Sequence, residues 1–216
     1  MKNIDYRISK FLLKILFRVF YINFKICGLK NVPDKGSLLI ISNHISNLDP
    51  PIILHALNRP VGFMAKSELF KIPVLSWIMN RLNCFPVKRG VGDRASLTLA
   101  SEKLVVDKTA VCLFPEGTRS VNGMLKPFKK GFAYVWAEAN YPPILPIVIK
   151  GSENILKKGA YVPTVADVEV KIGNIINLDS VVWNEQDRKE SASIVCNLVE
   201  EKMQKLFKNE EEKIEK

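Results

Sequence analysis

Two histidines, four scattered cysteines and no unbroken apolar stretch of spanning length set the first limits on this 216-residue chain. Cys27, Cys84, Cys112 and Cys196 form no Cys-x-x-Cys pair, and only His44 and His55 stand beside them, so no zinc-ligand pattern can be assembled. Metal chemistry is not expected. Each thiol lies among apolar neighbours, which predicts buried free cysteines in a reducing compartment. A secretory signal peptide is excluded because no uninterrupted apolar core with a small-residue cleavage site opens the chain. Internal repeats and a linker rich enough to divide the chain are also missing. One domain is expected.

What is plentiful is positive charge on an apolar background. The formal net charge is +10, yet 47% of the residues are hydrophobic, which excludes disorder. Much of the excess sits in the first 30 residues, where Lys2, Arg7, Lys10, Lys14, Arg18, Lys25 and Lys30 face Asp5 alone. Such a chain suits an anionic lipid surface.

Residues 7–26 read RISKFLLKILFRVFYINFKI. A spanning helix would carry Lys10, Lys14, Arg18 and Lys25 into or beside hydrocarbon, at roughly 2.5–3.5 kcal/mol each near the centre. At helical spacing the basic residues fall within an arc of roughly 80°, and the rest of the circumference is Ile, Leu, Phe and Val. That pattern predicts an amphipathic helix over residues 1–30 lying in a membrane interface, with its lysines reaching headgroups. A core-packing helix with a solvated face is the other possibility. Phe11, Phe17, Phe20 and Phe24 lie away from the basic stripe, which argues against nucleic acid.

Further along, residues 37–41, 61–65, 85–87, 110–114, 144–149 and 168–172 read as short, mostly buried strands. Helical patterns cover residues 93–106, 131–139 and 191–207, and another helix follows Asp49-Pro50-Pro51. Residues 70–82 are apolar on most sides and hold Trp77, as core or as a second lipid-facing patch. This alternation predicts an α/β domain over residues 31–208 with a mostly buried sheet, and residues 209–216 are too charged to pack.

Candidate chemistry lies at strand ends. In Asn43-His44-Ile45-Ser46-Asn47-Leu48-Asp49, His44 is the natural general base, and Asp49 can hold one imidazole nitrogen and support the imidazolium. Helix capping is the alternative role for this pair, and His55 is expected to be structural. In Phe114-Pro115-Glu116-Gly117-Thr118-Arg119-Ser120, a tight turn presents backbone N–H groups, a hydroxyl and a guanidinium suited to an anion. Lys66, Lys88-Arg89 and Lys129-Lys130 are further anion candidates.

NHISNLD and FPEGTRS, in that order, resemble the glycerolipid acyltransferases, and are most similar to the bacterial-type 1-acyl-sn-glycerol-3-phosphate acyltransferases. Cys84-Phe85-Pro86-Val87-Lys88-Arg89 resembles the intervening block that ends in a phosphate-binding Arg, with Asn83 and Lys88 as departures. Ile144-Leu145-Pro146-Ile147 resembles the fourth block. The resemblance implies a single α/β domain whose mostly buried mixed sheet is flanked by helices. It implies catalytic His44 and Asp49, and acceptor binding by Arg89, Glu116, Gly117, Thr118 and Arg119, with Lys66 and Lys130 as added candidates. It also implies lysophosphatidic acid as acceptor, acyl-CoA or acyl carrier protein as donor, and neither metal nor cofactor. Glycerol-3-phosphate or another lysophospholipid is the alternative acceptor, and a non-catalytic membrane-binding protein the remote one. The expected location is peripheral or monotopic, on the cytoplasmic face of the cell membrane.

Overall fold

A computed structural model describes residues 3–20, 22–81, 84–87, 94–120, 123–155 and 163–208. Seven strands are described: β1 (Ile22–Cys27), β2 (Leu38–Ser42), β3 (Val61–Lys66), β4 (Cys84–Val87), β5 (Ala110–Leu113), β6 (Ile144–Lys150) and β7 (Ala166–Ile172). The helices are α1 (Asn3–Val19), α2 (Asp49–Ala56), α3 (Pro73–Arg81), α4 (Arg94–Val105), α5 (Gly131–Glu138) and α6 (Arg188–Lys208).

The strands form one sheet in the order β1-β7-β6-β2-β5-β3-β4. Strands β6, β2, β5, β3 and β4 run parallel; β7 is antiparallel to β6, and β1 is parallel to β7. The sheet is therefore mixed, as expected. Its central strands are covered on both faces, which is why Leu38–Ser42 and Ala110–Leu113 are buried at every position rather than alternating. Leu39, Ile41, Val111 and Leu113 pack with α4, α5 and α6, while Leu38, Ile40, Ala110 and Cys112 pack with α1 and α2. Parallel register brings the C-terminal ends of five strands to one edge, and the start of antiparallel β7 to that same edge.

The N-terminal helix departs from expectation in two ways. It stops at Val19, and residues 22–27 form an edge strand instead of continuing it. Ile22, Phe24 and Ile26 alternate inward while Asn23, Lys25 and Cys27 face out, a period of two that pairs with β7 and satisfies the backbone. Lys25 ion-pairs with Glu169 at 2.9 Å.

Second, the basic stripe does not simply face outward. Lys10 is half-buried and donates to the Leu57 carbonyl at 2.7 Å and to Asn58 Oδ1 at 2.8 Å, at the C-terminal end of α2, where a cation meets free carbonyls. Phe17 is buried beside His55 and Phe24. Lys14 and Arg18 remain exposed, but most of the outward surface is apolar, formed by Ile8, Phe11, Leu12, Ile15, Leu16 and Val19. Trp77 on α3, a helix that touches α1, is also exposed. No helix among the described residues is long and apolar enough to cross a membrane.

Cys27, Cys84, Cys112 and Cys196 are free, but Cys27 is exposed at the end of the edge strand and Cys84 is only partly covered, unlike the expected burial of all four. Residues 209–216 lie outside the described residues.

Candidate active site

The site is built where buried β2 ends. Asn43 is 1% exposed, and its side-chain amide pairs with β6: Nδ2 donates to the Ile149 carbonyl, and Oδ1 accepts the Ile149 N–H, both at 2.8 Å. The side chain thus extends strand pairing by one residue and fixes the backbone from which His44 departs. The His44 backbone N–H donates to Glu116 Oε1 at 2.9 Å, and its carbonyl accepts the Ser120 N–H at 2.7 Å. His44 is therefore held on three sides before its ring is considered.

The ring stacks on Phe114 with centroids 4.2 Å apart, and Nδ1–H donates to Asp49 Oδ2 at 2.8 Å. That same oxygen accepts the Ile45 N–H at 2.7 Å and the Ser46 N–H at 2.8 Å. Asp49 Oδ1 accepts the Ser152 hydroxyl at 2.6 Å, and the carboxylate is fully buried. Asp49 is the first residue of α2, followed by two prolines that suit a first helical turn. Its side chain reaches back to the preceding turn instead of serving as the cap, so one carboxylate both orients His44 and closes the turn. The His44 side chain is 19% exposed, and among the described residues only Nδ1 of its ring has a hydrogen-bond partner. Nε2 is left available to a ligand.

Residues 114–120 follow β5, the neighbour of β2. The Gly117 N–H closes a turn onto the Phe114 carbonyl, and Gly117 adopts φ +70, a left-handed value that glycine tolerates. Glu116 is buried and works inward: it holds the His44 amide with one oxygen and the Lys126 amide with the other, at 3.2 Å. Burial pushes its carboxyl above the ordinary value, opposed by those two amides and by the Lys126 charge. Gly117, Thr118 and Arg119 are exposed. Lys126 Nζ donates to the Arg119 carbonyl at 2.7 Å and to Thr118 Oγ1 at 3.3 Å, placing a second cation on this loop. Lys129 lies beside Gly117, and its N–H donates to the Pro115 carbonyl at 2.9 Å.

The remaining candidates divide. Lys66 ends β3 on the same sheet edge, exposed and paired in register with Val87. Arg89 and Lys88 lie outside the described residues. Lys130 donates to Ser193 on α6, so its ammonium is engaged there rather than with Lys126 and Arg119. Ser46, the one hydroxyl in the His44 segment besides Ser42, is buried and accepts the Leu48 N–H, which leaves it poorly placed as a nucleophile. Sequence reasoning missed the roles of Asn43, Lys126 and Ser152. The available signal for Ser152 was its place, with Gly151, directly after a parallel strand on the edge that carries His44.

Residues 23–150 match the family model described as acyltransferase. A chloroplastic 1-acyl-sn-glycerol-3-phosphate acyltransferase of Brassica napus is 36% identical over 62% of this chain and 39% of its own length. The enzyme of that name from Borreliella burgdorferi is 25% identical over 83% of this chain and 71% of its own. The crystal structure of the 1-acyl-sn-glycerophosphate acyltransferase PlsC from Thermotoga maritima superposes with a TM-score of 0.70 at 28% identity, covering 93% of this chain and 84% of that one. The chain thus spans well under half of the plant relative and most of the two bacterial ones.

Proposed function

The chain belongs to the acyltransferase family, and from that premise we propose that it transfers a fatty acyl group to the free hydroxyl of 1-acyl-sn-glycerol-3-phosphate. The observation that carries this reading is the His44–Asp49 pair, with Nε2 unengaged, beside a loop that exposes Arg119 and carries the partly buried Lys126. His44 Nε2 takes the proton of the glycerol hydroxyl as its oxygen attacks the carbonyl of an acyl thioester. Asp49 keeps Nδ1 protonated and stabilises the imidazolium that forms. The tetrahedral intermediate collapses, the carbon–sulfur bond breaks, and the imidazolium returns its proton to the leaving thiolate of coenzyme A or acyl carrier protein. Phosphatidic acid and a free thiol result. Transfer is direct, because among the described residues no nucleophile stands beside the base to form an acyl-enzyme.

Acceptor phosphate is held by Arg119 and Lys126, with Lys66 further along the edge, and Arg89 is carried over as a further ligand from the resemblance alone. Glu116 and Gly117 shape the loop, and Thr118 adds a hydroxyl. The apolar outer face of α1 supports docking on an anionic bilayer as a peripheral or monotopic protein at the cytoplasmic face.

The test is transfer from acyl-CoA or acyl carrier protein to labelled 1-acyl-sn-glycerol-3-phosphate in vesicles, by wild type and His44→Ala. Product from wild type and none from the variant is expected. Failure with both donors, or unchanged turnover in the variant, overturns the reading.

A further inference from the structure

We propose that Ser152 is a positioning residue of the transfer reaction, acting through Asp49 to set the pH above which His44 is free to take a proton. The inference rests on His44 being the base of the proposed reaction. Ser152 follows Gly151 at the end of β6, is fully buried, and stands 103 residues from Asp49 in the chain. Its place is dictated by close packing: Gly151 adopts φ +85, and a Cβ there would lie 2.1 Å from the Asp167 carbonyl oxygen. Backbone geometry thus delivers the hydroxyl to Asp49 Oδ1 at 2.6 Å.

The division of labour on the carboxylate is uneven. Oδ2 accepts two backbone amides and the His44 ring, whereas Oδ1 has Ser152 as its one hydrogen-bond donor among the described residues. Asp49 is 0% exposed, so water does not replace a lost donor. With the hydroxyl present, negative charge is shared across both oxygens. Without it, the carboxylate leans harder on its remaining partners, and only His44 can answer by becoming cationic. A charged donor stabilises an under-bonded carboxylate more than a neutral one does, so the imidazole keeps its second proton to higher pH. The base is then blocked near neutrality and released again at alkaline pH.

No other titratable side chain hydrogen-bonds to Asp49 among the described residues, but charged groups do face this pair. Glu116 binds the His44 amide, Lys126 stands behind Glu116, and the buried Cys112 thiol on β5 lies near enough to Asp49 to be pushed up by burial and then by that charge. All three are unchanged by a substitution at Ser152, so they set the starting point and not the displacement.

The experiment is the pH–rate profile of kcat/KM for Ser152→Ala, Ser152→Thr and wild type, with Tm measured for each. In Ser152→Ala the acid limb is expected to move up by about one pH unit, giving roughly tenfold lower activity near neutrality and wild-type activity at high pH. Ser152→Thr keeps the hydroxyl and is expected to keep the limb in place. A structural defect alone would lower activity at all pH values. An unmoved limb in Ser152→Ala, or an equal displacement in Ser152→Thr, overturns the assignment. A titration of the His44 ring nitrogens by NMR, with the other histidine removed as His55→Phe, follows the same displacement without substrate. If wild type transfers no acyl group, the functional reading fails while this titration still decides the coupling. If wild type is active and the titration is unmoved, Ser152 alone is refuted.

Discussion

Replacing Asp49 by asparagine separates the charge of the carboxylate from its shape. Its buried side chain makes four hydrogen bonds, three on Oδ2 from N–H groups and one on Oδ1 from Ser152. The Ile45 and Ser46 amides both require an acceptor at the first position, which pins the asparagine oxygen there. The new NH2 then faces the Ser152 hydroxyl, which can rotate to accept. All four bonds survive, His44 keeps its tautomer, and only the charge is lost. Weaker charge assistance costs about 1 kcal/mol per bond, partly offset because an ion is no longer buried. A net loss near 1 kcal/mol lowers Tm by about 2–4 °C in a chain of this size.

Catalysis suffers far more, because the imidazolium formed in the transition state loses its counter-charge. In a serine-protease triad the same substitution costs about 10⁴-fold, including a tautomer error. Here the two amides prevent that error, so a fall in kcat of about 10²- to 10³-fold is expected, or about 3–4 kcal/mol. Initial rates of transfer to labelled 1-acyl-sn-glycerol-3-phosphate measure it, alongside Tm. The acid limb should also move down in pH, opposite to Ser152→Ala, because the imidazolium is no longer stabilised. A folded Asp49→Asn protein with kcat within about tenfold of wild type would refute the counter-charge role.

Arg119→Ala should raise KM for the phosphorylated acceptor about 10- to 100-fold with little change in kcat, the loss of one charge-assisted contact; an unchanged KM removes Arg119 from the phosphate site. Gly151→Ala should cost more than about 3 kcal/mol, lowering Tm by at least about 6 °C, because the clash is with strand backbone; a smaller shift in thermal denaturation contradicts the packing argument. Phe11→Asp combined with Ile15→Asp should weaken vesicle co-sedimentation at least about 100-fold without changing Tm, since both side chains are exposed; full retention on vesicles would exclude α1 as the docking face. His55 is held below its ordinary value of 6.5 by burial, and then by Lys10 and Lys14. Below pH 6.5 the unfolded chain therefore binds a proton that the folded chain resists, so stability falls as pH drops from 6.5 toward the lowered value. His55→Phe should flatten that part of a plot of Tm against pH, and parallel slopes for the two proteins would contradict it.

The parts of the fold that were legible in the sequence are those where burial is complete. Leu38–Ser42, Ala110–Leu113 and Ile144–Lys150 are central strands, and an apolar run with no alternation has few other places to go. The edge strand Ile22–Cys27 was hidden because six residues of period two follow directly on basic residues of helical period, and Lys25 happens to fit both. Lys10 was misplaced for a different reason. Its direction is set by the carbonyl of Leu57, 47 residues on, which no local pattern reveals.

The site shows the same division. His44 and Asp49 were legible because their partnership spans one turn, and its chemistry is written in the residue types. Asn43 and Ser152 were not, since their roles depend on β6 lying beside β2. An Asn or Ser at the end of a strand carries no chemical signature until the sheet order is known. The inward work of Glu116 was half visible: its motif suggested that it ordered other groups, but the group it orders most directly is the His44 backbone.

The direction of α1 links the two functions carried by the positive, apolar chain. Val19 ends the helix, and Ile22 begins β1 three residues later at the edge where β2 delivers His44. Lys10, a helix half-length earlier, contacts the C-terminal end of α2 at the opposite edge. Helix α1 therefore runs across the sheet face antiparallel to α2, with its apolar side outward. Laid in a bilayer interface by that side, α1 would hold the edge that carries His44 beside the membrane surface. A lysolipid could then present its glycerol hydroxyl to His44 while its acyl chain stays in the membrane. If the proposed acceptor binds in this way, Arg119 and Lys126 would need only to hold a phosphate already at the surface.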